Sequence, residues 1–523
     1  MIELNPKRWK TEPFKHQLEG VRELLAKPAF ALFDEMGSGK SKQCIDAACT
    51  LFEAGEIDCV VVVAPASVRS VWHHPERGQI RKHCWQPAAV LEYHGAEAEL
   101  LWEEPAGYGL LPFFVSNYEY LRATNGRNHR LAGMLHLLRD FERIMLVLDE
   151  SSFLKERTAN QAKAVASLRQ GCARCVELNG TPISKNPLDL WSQMNILDPK
   201  ILGRVYVNYW HFRNTHCITA PPVKMANGGR FEKILGWRNL ELVQELIKPY
   251  CLRRLKKDCM DLPPKIGGIE AEDPVVQYVP LSASTWRRYK ELRADALLHL
   301  PAGDQVPEPN AGVRLIRLAQ LTSGHVSYNP TNIEADLFTE EGELQLAENQ
   351  VDDLSQEKQD WAFNFLTDWD QAEATVVWCR FRRERERLAA RLRGAGVRTY
   401  EIYGGQRKAE REEAEAAFDP TARGTGRRVL LAQPQAGSLG LQLHAATENL
   451  YLSNTQSLKD RLQSEDRTHR SGTVSRVSYT DLVATGPDGQ KTIDWVILKA
   501  LREKQDLASW TCSRWRRALE EEF

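Results

Sequence analysis

Residues Ala31 to Ser41 read ALFDEMGSGKS. Ala31–Phe33 has the composition of a short apolar strand. A glycine-rich turn follows, and then a helix: Ile45, Ala48, Cys49 and Phe52 recur at helical spacing, with Gly55 as a stop. Such a turn makes a phosphate cradle. The glycines let backbone N–H groups approach the phosphates, and the helix N-terminus adds partial positive charge. The stretch expected to wrap the nucleotide is Met36, Gly37, Ser38, Gly39, Lys40, Ser41 and Lys42. Lys40 neutralises the terminal phosphates, and the Ser41 hydroxyl is a ligand for Mg²⁺. Asp34 stands where the usual pattern has its first glycine. The motif alone therefore leaves an ordinary β–α turn with a surface lysine open.

A second stretch narrows the choice. IMLVLDE, Ile144 to Glu150, is an apolar strand ending in two acids. In a parallel sheet the carboxyl ends of the strands face the ligand crevice. Asp149 is placed to hold Mg²⁺ through water. Glu150 is placed to orient and deprotonate the attacking water in phosphoryl transfer. Acids also end strands as simple helix caps, and the upstream phosphate loop favours the catalytic reading.

The chain of 523 residues is too long for one core, so two to four domains are expected. Its hydrophobic fraction of 42% and charged fraction of 27% are those of a globular protein in water. No apolar run approaches a membrane span, and MIELNPKRWK lacks an apolar signal segment. The scattered cysteines suit reduced, buried thiols, and a cytoplasmic location is expected. Cys172 and Cys175 form one C-x-x-C without a second pair, which argues against zinc. The net charge of −1 is uninformative, because nucleic-acid binding needs a local basic channel. Basic residues do cluster at Arg253, Arg254, Lys256 and Lys257. For such a cluster the plain reading is a solvated helix face.

Up to about Leu197, strands alternate with helices, the rhythm of a parallel α/β sheet. Strands are expected at 31–33, 59–64, 113–115, 144–148 and 175–178. From Asp198 to Leu255 the rhythm breaks into aromatic-rich, helical segments, and Leu281–Leu300 is a further helix. Pro301–Gly312 is turn-rich, and Asn329–Asp353 is an acidic insert. The α/β rhythm returns at 375–379, 397–403, 429–433, 449–452 and 477–483. A last helix from Asp494 precedes a short tail.

Two more stretches carry a resemblance. Leu178–Pro199 reads LNGTPISKNPLDLWSQMNILDP, and Gln463–Gly472 reads QSEDRTHRSG. The sequence resembles the Swi/Snf-type family of superfamily 2 helicase-like ATPases, with its L-T-G-T-P, L-x-E-L-W and Q-x-x-D-R-x-H-R-x-G-Q segments. The resemblance runs nearly end to end. Gln17 in FKHQLEGV looks like the family's adenine-reading glutamine. DEMGSGKS is similar to D-E-M-G-L-G-K-T, so Asp34 fits the family form. LRRLKKDCMDLPPK, Leu252–Lys265, resembles the segment closing the first lobe, and QAGSLGLQL resembles a glycine segment of the second. There are departures: Ser151-Ser152 replaces Ala-His, Asn179 replaces a threonine, and the last glutamine is missing after Ser471-Gly472-Thr473. The short linker looks closer to a compact, distant branch that acts on DNA forks.

The resemblance implies an α/β fold of two RecA-like parallel-sheet lobes with helical protrusions between them. Residues 1–200 would be the first lobe and 201–355 the protrusions and linker, with 201–265 closing that lobe. Residues 356–490 would be the second lobe and 491–523 a C-terminal helix and tail. ATP and Mg²⁺ are the implied cofactors. Arg467 and Arg470, three apart on one helix face, would act as arginine fingers across an interlobe cleft. Gln463 and Gly440 would complete the nucleotide site. Backbone contacts to double-stranded DNA are expected at strand ends: Ser67, Arg69, Ser116, Asn117 and Tyr118 in the first lobe, and Arg380, Arg382, Tyr403 and Ser438 in the second. For Trp72, stacking on a base and packing in the core are both open, and the core is the expected place. The expected activity is ATP-driven translocation on duplex DNA by a monomer without membrane attachment. The rivals are a strand-separating DNA or RNA helicase and an ATP-gated clamp that does not hydrolyse.

Overall fold

The computed structural model describes residues 2 to 521 apart from 3, 67, 95–97, 104–108, 123–128, 181–186, 225–229, 233, 261, 299–308, 328–350, 369–372, 420–421, 423–425, 438–442, 471–472, 474, 505–506, 508–509 and 511. The chain divides into two compact units, Met1–Asp261 and Leu262–Phe523. Each has its own sheet.

The sheet of the first unit is built from β1 (Ala29–Leu32), β2 (Cys59–Ala64), β3 (Ala88–Tyr93), β4 (Ala98–Glu103), β5 (Leu111–Asn117), β6 (Ile144–Asp149), β7 (Arg174–Leu178) and β8 (Cys251–Leu252). Their order is β8-β1-β7-β6-β2-β5-β3-β4. Every pair is parallel except β3 with β4. Strands such as CVVVVA are buried along their whole length, which is why they read as unbroken apolar runs. This order sets β7 between β1 and β6. The glycine loop after β1, the acids ending β6 and Asn179-Gly180 after β7 therefore emerge side by side.

Helix α1 (Lys15–Ala26) packs on α2 (Lys40–Glu53). They approach so closely at Gly20 that a Cβ there would lie 1.8 Å from Gln43 Oε1. Helices α3 (Arg69–His73), α4 (Asn160–Arg169) and α5 (Asp189–Leu197) complete the parts that bear on the site. The α4–α5 side holds an apolar layer including Leu146, Leu148, Trp191 and Met194.

The region 198–255 is not simply helical. It contains two antiparallel ribbons, Cys217–Thr219 with Ile234–Trp237 and Val223–Lys224 with Arg230–Phe231. Strands of two to four residues are too short to show a period, so the aromatic content dominated the sequence pattern.

The second sheet is built from β9 (Lys265–Gly267), β10 (Val275–Pro280), β11 (Ala374–Trp378), β12 (Arg398–Ile402), β13 (Arg428–Ala432), β14 (Glu448–Tyr451) and β15 (Val477–Thr485). The order is β9-β15-β14-β11-β13-β12, with β10 continuing beside β15. All pairs are parallel. The expected strands of this unit are all present. Strands β9 and β10, by contrast, fall in the region expected to be linker. Only Val279 of β10 is buried, so this edge strand shows no apolar alternation. Helix α6 (Ala283–Leu298) matches the expected one at 281–300. Beyond α7 (Leu458–Glu465) and α8 (Ile493–Arg502), a further helix α9 (Cys512–Glu521) occupies the expected tail and buries Trp515 and Leu519 in the core of the unit. Most of the acidic insert and the turn-rich stretch lie outside the described residues.

The described cysteines are all free thiols and mostly buried. Cys172 and Cys175 pack in the apolar core of the first unit. No helix among the described residues is long and apolar enough to cross a membrane.

Candidate active site

The glycine loop is held from three directions. Gly37 and Gly39 adopt φ of +78° and +81°, a left-handed backbone that side chains oppose. Gln17 braces the loop from α1: its Nε2 donates to the Ser38 carbonyl at 3.1 Å, and its Oε1 accepts from Phe14 N–H at 3.0 Å. His16 Nε2 also reaches the Ser38 carbonyl, at 2.9 Å. A Cβ on Gly39 would lie 2.2 Å from Gln17 Nε2, so a side chain there would displace the Gln17 brace as well as strain the backbone.

The third support comes from the RRLKK segment after β8. Arg254 donates to both carboxylate oxygens of Asp34, at 3.0 and 2.5 Å, and to the His16 carbonyl and Gln43 Oε1. Arg253 spans the carbonyls of Phe33 and Gly180, each at 3.0 Å. The Lys256 N–H donates to Glu35 Oε2 at 2.8 Å. These arginines do not lie on a solvated helix face. Asp34 is fully buried, and Arg254 is the partner that a carboxylate in that position needs.

Lys40 Nζ donates to the carbonyls of Asp34 and Glu35 at 2.7 and 3.2 Å. Burial pushes this ammonium below the ordinary lysine range. The charges of Glu150, Asp34 and Asp149 pull it back. Lys40 thus lies within the electrostatic reach of the acids of β6. Lys42 behaves differently. Its ammonium pairs with Asp46 at 2.6 Å and the Thr11 carbonyl at 2.9 Å, stacked over Trp9. Its side chain is turned away from the loop, and only its backbone at the start of α2 belongs there.

At the end of β6, Asp149 Oδ2 accepts from Trp72 Nε1 at 2.8 Å, and Oδ1 accepts from the Glu150 N–H at 3.0 Å. Burial, and then the Glu150 charge, pushes the Asp149 carboxyl up to about 6; Trp72 and Lys40 act the other way. Glu150 has φ +52°, one of few non-glycine residues with a left-handed backbone here. Such strain persists only where the surroundings impose it, and it aims a side chain. Two buried oxygens, Glu150 Oε2 and Ser38 Oγ, have no hydrogen-bond partner among the described residues. With Ser41, Asp149 and the Lys40 cation, they fit a polyphosphate and an oxygen-ligated cation. No group of three His, Cys, Asp or Glu converges among the described residues. A Mg²⁺ here would therefore draw its other oxygens from phosphate and water.

In the second unit, Gln463 is buried in α7. The helix is anchored by Arg461, which pairs with Asp481 at 2.5 Å and Glu465 at 2.9 Å and lies over the Tyr451 ring. Arg467 and Arg470 are not on a helix face. The helix ends at Glu465, whose carbonyl accepts from the Tyr479 hydroxyl at 2.8 Å and from the N–H groups of Thr468 and His469. The arginines lie in the turns that follow, fixed by the Arg467 carbonyl accepting from Leu443 N–H at 3.1 Å.

Comparison with known proteins adds the decisive observation. The SNF2-related domain matches residues 16–320. The chain belongs to the SNF2-related family. The helicase conserved C-terminal domain matches residues 357–472 of the same chain. This SNF2-related chain is 24% identical over 530 residues to the DNA excision repair protein ERCC-6-like of Bos taurus, covering 91% of this chain and 40% of that protein. It is 22% identical over 517 residues to the transcription regulatory protein SNF2 of Saccharomyces cerevisiae, covering 96% and 27%. The Sulfolobus solfataricus SWI2/SNF2 ATPase core in complex with dsDNA aligns over 99% of this chain and 98% of that one, with 20% identity and a TM-score of 0.38. The SNF2-related chain spans 40% or less of the first curated relatives. Membership places it in a class of helicase-like, DNA-dependent ATPases, and the resemblance drawn from the motifs stands.

The expected DNA contacts fare unevenly. Ser116, Asn117 and Tyr118 are buried and cannot offer side chains to a phosphate backbone. Ser116 Oγ donates to the Tyr93 carbonyl, Asn117 caps the next turn by accepting from Tyr120 N–H, and Tyr118 donates to the Asp149 carbonyl. Polar residues at a strand end here serve the scaffold, and Tyr118 braces the end of β6. Arg69 pairs with Glu92 at 2.8 Å. Arg382 is exposed and pairs with Glu386, while Tyr403 lies under the Arg385 guanidinium at 4.0 Å. The Arg380 N–H donates to Ser453 Oγ at 2.8 Å. Ser67, Ser438, Gly440 and Thr181-Pro182 lie outside the described residues.

Trp72 is in the core, as expected, but its bond to Asp149 was not legible. That bond favours the ionised carboxylate. In Trp72→Phe the Asp149 carboxyl moves further up, so more of it is protonated at any pH below neutrality. The acid limb of the ATPase pH profile should therefore shift to higher pH, with little change at pH 8. An unmoved limb in a rate–pH series would show that the indole N–H does not act on Asp149.

Proposed function

We propose that this SNF2-related chain is an ATP-driven translocase on double-stranded DNA. The observation that carries the reading is the convergence of Lys40, at the head of α2, with Asp149 and Glu150 at the end of β6, where a buried Glu150 oxygen has no partner among the described residues. Lys40 and the loop N–H groups bind and orient the phosphates of ATP. Glu150 orients the attacking water and takes its proton. Ser41 and Asp149 would hold Mg²⁺, which supplies charge neutralisation of the phosphates when bound. Arg467 and Arg470 of the second unit stabilise the charge that develops on the transferring phosphoryl group. Sequence-independent contacts to the DNA backbone are assigned to Arg69, Arg380 and Arg382, arginines in the segments that follow β2 and β11.

The test is ATP hydrolysis with duplex DNA, single-stranded DNA and RNA, together with displacement of a triplex strand from duplex DNA. Duplex is expected to stimulate most, and triplex displacement to proceed without unwinding of a fork. Arg470→Ala should lower the stimulated rate by on the order of 10³-fold. Strongest stimulation by RNA, or fork unwinding with no triplex displacement, would sink the proposal.

A further inference from the structure

The mechanism uses Arg467 and Arg470 but none of the residues that hold them in place. Two parts of the stretch Leu252–Lys265 bear on the chemistry, one in each unit. Arg253, Arg254 and Lys256, in the first unit, clamp the glycine loop. Pro263, Pro264 and Lys265, at the start of the second unit, meet the stretch that carries the two arginines.

Lys265 opens β9. Its Nζ donates to Glu465 Oε2 and lies over the Tyr479 ring at 5.0 Å. Glu465 is the last residue of α7 and is buried. Its Oε1 accepts from Arg461 Nε and from the Ile269 N–H, each at 2.9 Å. Burial disfavours this carboxylate, but the charges of Lys265 and Arg461 hold it below the ordinary range. The contact is close. A Cβ on Gly268, whose φ is +90°, would lie 2.8 Å from Glu465 Oε2 and 2.9 Å from Lys265 Cε. A second tie joins the same two stretches. His469, between the two arginines, donates from Nε2 to the Pro263 carbonyl at 2.8 Å. A carbonyl can only accept, so the ring proton sits on Nε2. The backbone between these ties is bracketed at both ends. The Glu465 carbonyl takes the N–H groups of Thr468 and His469, each at 3.3 Å. Thr473 Oγ1 donates to the Thr468 carbonyl at 3.0 Å and accepts from the Arg470 N–H at 3.1 Å. Moving Glu465 therefore moves the turns from which Arg467 and Arg470 project.

We propose that Lys265 is a positioning residue for ATP hydrolysis: through its ion pair with Glu465 it sets the turns that carry Arg467 and Arg470. One short stretch of chain then holds the phosphate loop at its first end and registers the arginines at its second. Arg461 cannot do this, because it pairs with Glu465 from within the same helix. The inference rests on the reading of Arg467 and Arg470 as the groups that stabilise charge on the transferring phosphoryl group.

The experiment measures kcat and KM for ATP in the full chain with saturating duplex DNA, by single turnover where rates are low. Lys265→Met keeps the apolar stem over Tyr479 and removes the cation. It should lower kcat by about tenfold with KM unchanged, because a small displacement of a charge-stabilising group is costly. The same substitution is then made in a protein that already carries Arg467→Ala and Arg470→Ala. There it should lower the rate no further, since the lysine acts only through those arginines. A lysine that merely supported the fold would lower the rate on both backgrounds alike. Should Lys265→Met fail to fold, His469→Phe removes the second tie while keeping a ring, and the same pattern is expected of it. A parent-like kcat, a rise in KM with kcat unchanged, or an equal fall on both backgrounds overturns the proposal. Arg470→Ala is run alongside. If it is slow while Lys265→Met is parent-like, only the positioning role fails; if it hydrolyses like the parent, the reading of the arginine itself fails.

Discussion

At neutral pH Glu150→Gln should bind ATP and DNA like the parent yet hydrolyse ATP about 10²–10⁴-fold more slowly. Glutamine keeps the shape of the side chain and the left-handed turn that carries it, but it cannot take a proton from water. The fold has little reason to suffer. Glu150 Oε2 has no partner among the described residues, so no native hydrogen bond is lost there. One neighbour does feel the change. The Glu150 charge is the largest influence holding the Lys40 ammonium up against burial. Its removal therefore lowers the Lys40 pKa further, and nucleotide affinity should weaken somewhat at high pH. Fluorescent-nucleotide titration and single-turnover hydrolysis separate the two effects. Parent-like turnover would remove Glu150 from the chemistry.

Arg254→Ala should destabilise the first unit by about 3–5 kcal/mol, the usual cost of leaving one member of a buried ion pair alone. Asp34 is fully enclosed, and the substitution removes both bonds to its carboxylate together with those to the His16 carbonyl and Gln43. The damage reaches the active site, because the same segment of chain carries the carbonyls that hold Lys40. Removing both charges should be milder than removing one. Arg254→Met combined with Asp34→Asn is expected to recover a large part of the loss, a coupling that a double-mutant cycle in denaturant would measure. An Arg254→Ala protein with an unchanged unfolding midpoint would show that the pair does not anchor the loop.

What the sequence displays well is what is contiguous. The strand, glycine turn and helix of 31–53 lie in one stretch, as do the strand and acids of 144–150. Both are where the periodicity placed them. What it hides are partners far apart. Nothing near Asp34 announces Arg254, although an acid in an apolar run before a glycine loop is a sign that a cation will be needed. The strand-end residues Ser116 to Tyr118 misled for a different reason. A polar side chain after a strand serves ligand or scaffold equally well, and only burial separates the two. Arg467 and Arg470 have helical spacing but not a helix: α7 stops at Glu465 and the chain continues in turns.

The edge strand Cys251–Leu252 has a consequence for how the protein comes into being. It pairs with β1, and Arg253, Arg254 and Lys256 immediately beyond it grip the nucleotide loop across a gap of some 220 residues. As the chain leaves the ribosome, the phosphate motif appears early but stays unfinished through most of the first unit's synthesis. A fragment ending at Pro249 would contain every residue of the glycine loop and none of its distal clamps. Long-range closures of this kind are late, slow steps in folding. Competence to hold nucleotide is thus a property the nascent chain acquires only as its first unit is completed.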